Sequence, residues 1–424
     1  MRSVIKVRSL PAATGILLAV FSGNIRLTQA SCFNPAAVSG LNALRFNPAQ
    51  LALPARPVFS YRILDFGFGF DNNSFTLSQY NRYSGAYLDA RAKQDILSSI
   101  PHTGLSLRGF AEAAGMEFGW ANFAASVRTA GSASCLVPEE LFELALQGNA
   151  LDRTYHAKDA IGFAQCYMRA GASVGTALGR HFALGVGAYY LYGLACLELK
   201  EAEALLHTTP EAVSACGLVA YRQASGGAGS AFDAGAAFWM NGWYLSLSGR
   251  DIGGRIIWTD GIEQGTYTFA LAPGNAYDIR TKGLFTQSFD HGPGPGFVGQ
   301  LPLKLNLSAA RVFSRWLECG AGFQYRLLGH TALDNGWLGS AVVELSPVAW
   351  LPSALEFACG QPDGPCLAAS FALALGRLTI ATRFEYVGGP VMAARGARFA
   401  AGLTYAEFRA KTDSTPFRIA YSRH

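Results

Sequence analysis

Few side chains in this sequence are spaced for catalysis. His102, His156, His181, His207, His291, His330 and His424 are scattered, with no His-Glu-x-x-His and no pair four residues apart. A helical metal site needs that spacing to bring two imidazoles to one face. The glycine-rich stretch from Asp290 to Gly296 is no phosphate cradle, because its prolines remove the donors such a loop must offer. Eight cysteines form no Cys-x-x-Cys pair, which excludes zinc-ribbon and thioredoxin chemistry. Cys359 and Cys366, flanking the turn Gly360-Gln361-Pro362-Asp363-Gly364-Pro365, are the pair placed for a disulfide. The sequence predicts no catalytic residue, no metal ligands and no cofactor; a membrane enzyme would need a Ser/His or Asp/His pair assembled from distant strands. The best functional surface is a ladder of charges set among apolar neighbours: Lys304, Glu318, Arg326, Arg377, Arg383, Glu385, Arg398 and Arg418. Most of these suit an internal salt-bridge network, with a basic remainder able to meet an anionic head group.

The elements that carry this ladder alternate with period two. In 317–327, Leu317, Cys319, Ala321, Phe323, Tyr325 and Leu327 oppose Glu318, Gly320, Gly322, Gln324 and Arg326. In 377–386, Leu378, Ile380, Phe384 and Tyr386 oppose Arg377, Thr379, Arg383 and Glu385. In 301–309, Leu301, Leu303, Leu305, Leu307 and Ala309 oppose Pro302, Lys304, Asn306 and Ser308. The closing segment sets Phe417, Ile419 and Tyr421 against Arg418, Ala420 and Ser422. Successive strand side chains point to opposite faces, so each segment has one oily face and one polar or small face. The oily faces carry aromatics, among them Tyr190, Tyr192, Phe323, Tyr325, Phe384 and Tyr386, which suits strands leaving a hydrocarbon layer. Lipid leaves no backbone group unpaired, so such a sheet must close. Roughly 14 strand-like segments follow Pro57, each long enough for the 9–11 residues of a tilted crossing. Three short helices interrupt them, at Tyr87–Ile100, Pro138–Gln147 and, more weakly, Lys200–His207. The fold class is therefore all-β: a single closed antiparallel transmembrane β-barrel of about 14 strands, with an N-terminal luminal plug and short loop helices.

Composition agrees. The 424 residues are 50% hydrophobic and only 15% charged, against about 25% charged in soluble domains. Mean hydropathy is +0.19, yet beyond the N-terminus no apolar run is long enough for a spanning helix. A net charge of +5 is spread without the basic stripe that nucleic acid requires. The first 30 residues carry Arg2, Lys6, Arg8 and Arg26 and no acid, with an apolar core from Ala12 to Phe21 and a small-residue exit at Thr28-Gln29-Ala30. This reads as an export signal cleaved near Ala30. The expected organisation is a signal peptide over 1–30, a plug segment over 31–55 and a barrel over 56–424.

Cys32-Phe33-Asn34-Pro35-Ala36 is followed 13 positions later by Arg45-Phe46-Asn47-Pro48-Ala49. The second copy resembles the Asn-Pro-Ala signature that precedes the first strand in FadL-like outer-membrane proteins, including PorV-type relatives. The strand ending Phe68–Phe75, the helix ending Ile96–Pro101 and the Pro138–Asn149 helix are similar to a branch of that superfamily. The resemblance implies a 14-stranded barrel in the outer membrane, with Phe46, Asn47, Pro48 and Ala49 in a plug folded inward. It also implies that hydrophobic or amphiphilic molecules, fatty acids among them, bind in the barrel and leave sideways into the bilayer. In the PorV-like alternative the barrel does not transport and instead docks secretion-system proteins. Two departures stand out: the extra Asn34-Pro35-Ala36, and an ending Tyr421-Ser422-Arg423-His424 in place of a terminal aromatic.

Overall fold

The computed structural model describes residues 36–348 and 350–408. The expected export segment, Cys32, Asn34-Pro35 and the closing run with Arg418 lie outside the described residues. From Phe59 onward the chain is a meander of fourteen antiparallel strands that closes on itself. In chain order these are β1 (Phe59–Asn72), β2 (Leu105–Trp120), β3 (Phe123–Val137), β4 (Arg153–Ala157 continued by Ile161–Leu178) and β5 (Phe182–Thr208). Then come β6 (Val213–Ala224 with Gly226–Met240), β7 (Trp243–Asp260 with Glu263–Gly274) and β8 (Phe285–Pro293, Phe297–Gln300 and Leu303–Ser314). The last six are β9 (Leu317–Leu327), β10 (Gly336–Leu345), β11 (Ser353–Gln361), β12 (Gly364–Leu375), β13 (Leu378–Val387) and β14 (Gly396–Glu407). β14 pairs with β1 from Phe59↔Glu407 to Asp71↔Gly396, and β1 pairs with β2 on its other side. Every wall strand thereby has two neighbours, which is what the hydrocarbon layer demands.

Alternation decides which face is wet. Tyr190, Tyr192, Leu305, Leu307, Phe323, Tyr325, Ile380 and Phe384 are exposed on the outside, while Lys304, Arg326, Arg383, Glu385 and Arg398 are buried within. Leu301 departs from the expected outward row. Pro302 has no N–H to pair, β8 lapses there, and Leu301 turns inward to join a buried cluster with Ile256, Trp258 and Phe297.

One end of the barrel has tight turns, such as Ala121-Asn122, Asn241-Gly242 and Gly376-Arg377. The other carries the long connections and their helices: α2 (Leu77–Tyr83), α3 (Ala90–Ser99), α4 (Glu139–Gln147) and α5 (Ala276–Thr281), with α1 (Ala43–Phe46) preceding the first strand. Two expected helices form. The α3 start is capped by Asp89, which accepts the Ala92 N–H at 2.8 Å, and α4 follows Pro138 and stops at Gly148, whose φ of 80° suits glycine. The helix expected over Lys200–His207 does not. Those residues pair with Arg153–Ala157 on one side and Val213–Ala220 on the other, within the 27-residue β5. Two ladders of cross-strand bonds outweigh a weak local helical preference.

Cys359 and Cys366 are both free thiols, not the expected disulfide. Cys359 pairs with Pro365 and Cys366 with Ala358, so the two lie one step out of register. Their side chains leave opposite faces: Cys359 is exposed and Cys366 is buried.

Candidate functional site in the barrel lumen

The described chain begins inside the wall. Residues 40–52 form three short helical turns, α1 between two 3-10 turns, and most of their side chains are buried. Asn47 is fully buried; its Nδ2 donates to the Ala236 carbonyl at 2.8 Å, the Leu247 carbonyl at 3.1 Å and Ser246 Oγ at 2.8 Å. Its Oδ1 accepts the Ala49 N–H at 2.9 Å, so Asn47 caps the turn that Pro48 begins. Ser248 Oγ donates to the Phe46 carbonyl at 2.6 Å.

The seat beneath is made of missing side chains. Gly175, Gly185 and Gly235 are direct partners across β4, β5 and β6. A Cβ on Gly185 would lie 2.2 Å from the Ala49 nitrogen, one on Gly235 2.1 Å from Asn47 Oδ1, and one on Gly175 2.8 Å from the Pro48 carbonyl oxygen. Only glycine lets the Asn47-Pro48-Ala49 backbone approach this closely.

Charges fill the rest of the lumen in three groups. In the first, Arg45 of α1 is ion-paired with Asp65 and lies 3.7 Å from Glu112 and 4.0 Å from Glu117. Arg62 meets Asp65 at 3.2 Å and Glu117 at 2.7 Å, and Arg128 meets Glu112 at 3.3 Å and Glu117 at 2.5 Å. In the second, Arg169 donates to Asp251 and Asp233, each at 2.7 Å, Lys304 donates to Asp251 at 2.8 Å, and Arg250 lies 3.6 Å from Asp233. Here the wall is irregular: β6 and β7 lose register between Ser230 and Ala234, and Asp251 takes a φ of 57°. Its N–H is accepted by Asp233 Oδ1 at 2.9 Å, so a side chain replaces the missing ladder bond. Between these two groups lies a cavity of about 40 Å³, bordered by Arg128, Arg169, Arg250, Lys304, Tyr167 and Tyr189. At 10–15 Å³ for one water it holds about three waters, far short of the about 300 Å³ of a ligand pocket.

The third group contains half of the predicted ladder, Arg326, Arg383, Glu385 and Arg398. Arg398 reaches Asp71 at 3.0 Å, Glu385 at 3.3 Å and Asp363 at 3.4 Å; Arg383 reaches Glu356 at 2.7 Å and Glu385 at 3.1 Å. Arg326 stands 3.8 Å from Asp363, and Arg108 pairs with Asp363 at 2.9 Å and with Asp71. Lys304 belongs to the second group, and Glu318 lies on the inner face of β9 in register with Glu344. Arg377 is not luminal. It occupies the Gly376-Arg377 turn, where its exposed guanidinium donates to Glu407 at 2.6 Å and to the Tyr405 hydroxyl at 3.0 Å. Arg418 lies outside the described residues.

Sequence reasoning missed more of these charges than it found. Asp65 lies three residues after Arg62, and Glu117 five after Glu112, odd spacings that strict alternation sends to opposite faces. Bulges between Arg62 and Leu64 and between Ala114 and Met116 shift the phase, so both members of each pair turn inward. The available signal was an ionisable residue inside an apolar strand, which a lipid-facing position would not tolerate. The expectation that the sequence holds no Gly-x-Ser-x-Gly pattern is wrong: Gly171-Ala172-Ser173-Val174-Gly175 matches it. It is straight strand interior in β4, and Ser173 Oγ lies 2.7 Å from the Tyr189 hydroxyl, which makes it a wall residue.

Toward the long-loop end an apolar layer of Phe163, Leu191, Ile256, Trp258, Phe297 and Leu301 fills one side of the lumen. The β9–β10 connection reaches over it. His330 stacks on Phe163 with centroids 4.2 Å apart, and its Nε2 lies 3.3 Å from Glu198 of β5. Glu198 also accepts from Arg222 at 2.7 Å, and that guanidinium sits 3.9 Å over the Phe297 ring.

A closed wall of fourteen antiparallel strands surrounds an inward N-terminal turn, an architecture consistent with the expected FadL-like fold. Similar solved structures are the toluene transporter TodX of Pseudomonas putida (10% identity over 92% of this chain and 99% of that chain, TM-score 0.48) and the toluene transporter TbuX of Ralstonia pickettii (11%, 92%, 100%, 0.48). A deltaS2 mutant of the TodX monoaromatic hydrocarbon channel has 10% identity, covers 91% of this chain and 98% of that chain, and gives a TM-score of 0.51. No protein-family model and no curated protein matches the chain. At such identity the likeness is one of fold.

Proposed function

We propose that this protein is an exported outer-membrane barrel that passes hydrophobic or amphiphilic molecules, fatty-acid-like ones among them, by a route that its N-terminal segment plugs. One observation carries this reading: the segment rests on the glycine row Gly175, Gly185 and Gly235 through its backbone. At this row no side chains interlock, so the turn is held there by hydrogen bonds, chiefly those of Asn47, and can lift off without repacking the wall beneath it. The cavity beside the seated segment is too small for such a molecule, so on this reading the segment moves when one passes. The test is uptake of a fluorescent fatty acid and of toluene into liposomes holding the full chain. Asn47→Ala, which removes bonds worth about 1 kcal/mol each, should raise uptake severalfold. Uptake at the level of empty liposomes for both proteins would end the transport reading.

A second reading, a PorV-like barrel that docks secretion partners without transporting, is favoured by the ion-paired charges that occupy the lumen around the segment. An open apolar groove of about 320 Å³ among Leu205, Cys216, Leu271 and Leu284, on the long extensions of β5–β8, also suits it. Such a barrel would leave both uptake measurements flat.

A further inference from the structure

Arg45 is the one cation of the first luminal group that the N-terminal segment supplies. The wall's own members of the first luminal group are two cations, Arg62 and Arg128, and three carboxylates, Asp65, Glu112 and Glu117. The third cation comes from the N-terminal segment, and its side chain is only 2% exposed. Its backbone is held as well: Arg250 donates to the Arg45 carbonyl, and Arg62 Nη2 donates to Asn42 Oδ1 at 2.6 Å. Seating the segment therefore brings a third cation into direct contact with Asp65, Glu112 and Glu117, and withdrawing it leaves those three buried carboxylates with Arg62 and Arg128 as their near cations. Removing one partner of a buried ion group is strongly unfavourable.

We propose that Arg45 is an ionic lock that holds the luminal segment in its seat, so that the closed state is set by its pairing with Asp65, Glu112 and Glu117 and not by the Asn47 hydrogen bonds alone. The inference rests on the plug reading above and adds the residue that regulates it. The guanidinium is shared among carboxylates of two strands, Asp65 on β1 and Glu112 and Glu117 on β2, so one side chain ties the segment to the wall across a strand pair. The glycine row, on β4–β6, supplies the seat.

The experiment is ion conductance of the full chain in planar bilayers, with heat-modified gel mobility as the check that each variant is a folded barrel. Arg45→Ala should raise the open fraction about tenfold or more over wild type. Added guanidinium chloride should then lower it again where equal sodium chloride does not, by restoring a cation to the three carboxylates. Arg45→Lys should lie between. Asp65→Asn is the second variant, needed should Arg45→Ala fail to fold: it leaves the wall balanced at two against two and Arg45 in excess. It should open the barrel without guanidinium rescue. Arg45→Ala that folds and stays closed, Arg45→Ala that opens with no preference for guanidinium over sodium, or Asp65→Asn that stays closed overturns the lock. Conductance is read apart from hydrocarbon uptake, so the lock can fail while transport stands, and the reverse.

Discussion

Gly185 and Ala49 meet backbone to backbone: a Cβ placed on Gly185 would lie 2.2 Å from the Ala49 nitrogen. The wall strand and the segment inside it are thus matched at one residue on each. Gly185→Val should unseat the segment while leaving the strand pairing intact, since the valine backbone suits a strand. Overpacking of this kind costs about 1–3 kcal/mol. The expected outcome is faster proteolysis between residues 40 and 56 and higher conductance, with unchanged gel mobility of the folded barrel. Normal protection of that segment in the variant would show that the approach is not tight.

Arg398 ties three carboxylates, Asp71, Glu385 and Asp363, from β1, β13 and the β11–β12 turn. Arg398→Met leaves those charges short of a cation inside the lumen. It should destabilise the barrel by about 3–5 kcal/mol, read as a lower unfolding temperature in heat-modified electrophoresis. Arg377→Met, at an exposed turn where solvent screens the pair with Glu407, should leave that temperature nearly unchanged. Equal effects would mean that the third charge group contributes little.

The two cysteines of the β11–β12 hairpin should behave differently toward a maleimide. In variants retaining a single thiol, Cys359 should label in detergent solution and Cys366 only after unfolding. Mobility with and without reductant should be the same for the chain carrying just this pair. A reductant-sensitive shift would place both sulfurs on one face.

How far the sequence reaches is clearest at β13. Leu378, Ile380 and Phe384 outside, Arg383 and Glu385 inside, follow directly from alternation, because the strand has no bulge and its face is set by lipid. At β1 and β2 the same rule fails, since one extra residue in each ladder rotates every later side chain by half a period. The Asn47-Pro48-Ala49 turn was visible as a motif, but its seat was not. Gly175, Gly185 and Gly235 lie far apart in sequence and form a row only through the registers of β4, β5 and β6. Arg45 gave no local sign of pairing either, because its partners come from strands at least 20 residues on.

Burial pushes the Asp334 carboxyl, in the β9–β10 connection, above its ordinary value of 3.8, against the pull of the hydrogen bonds it accepts from Thr331. A carboxyl raised on folding favours the folded loop fully below the unfolded value and loses that advantage as pH rises through the folded one. Hydrogen exchange of residues 328–335 should therefore slow on acidification below neutral pH. Asp334→Asn, which keeps an acceptor without the charge, should slow it at neutral pH and flatten the dependence. Exchange that quickens on acidification after correction for intrinsic rates would reverse the assignment.

β5 runs for 27 residues, where a tilted crossing needs about 9–11. Long connections in such barrels face outward, so the surplus stands above the bilayer as hydrogen-bonded sheet joined to β4, β6, β7 and β8. An antibody or phage tail arriving from outside would strike a stiff tower here, not loose string. Little ordering entropy would be lost on contact, and escape from such a binder would have to come by swapping side chains, because inserting residues would break the ladders that hold the tower up.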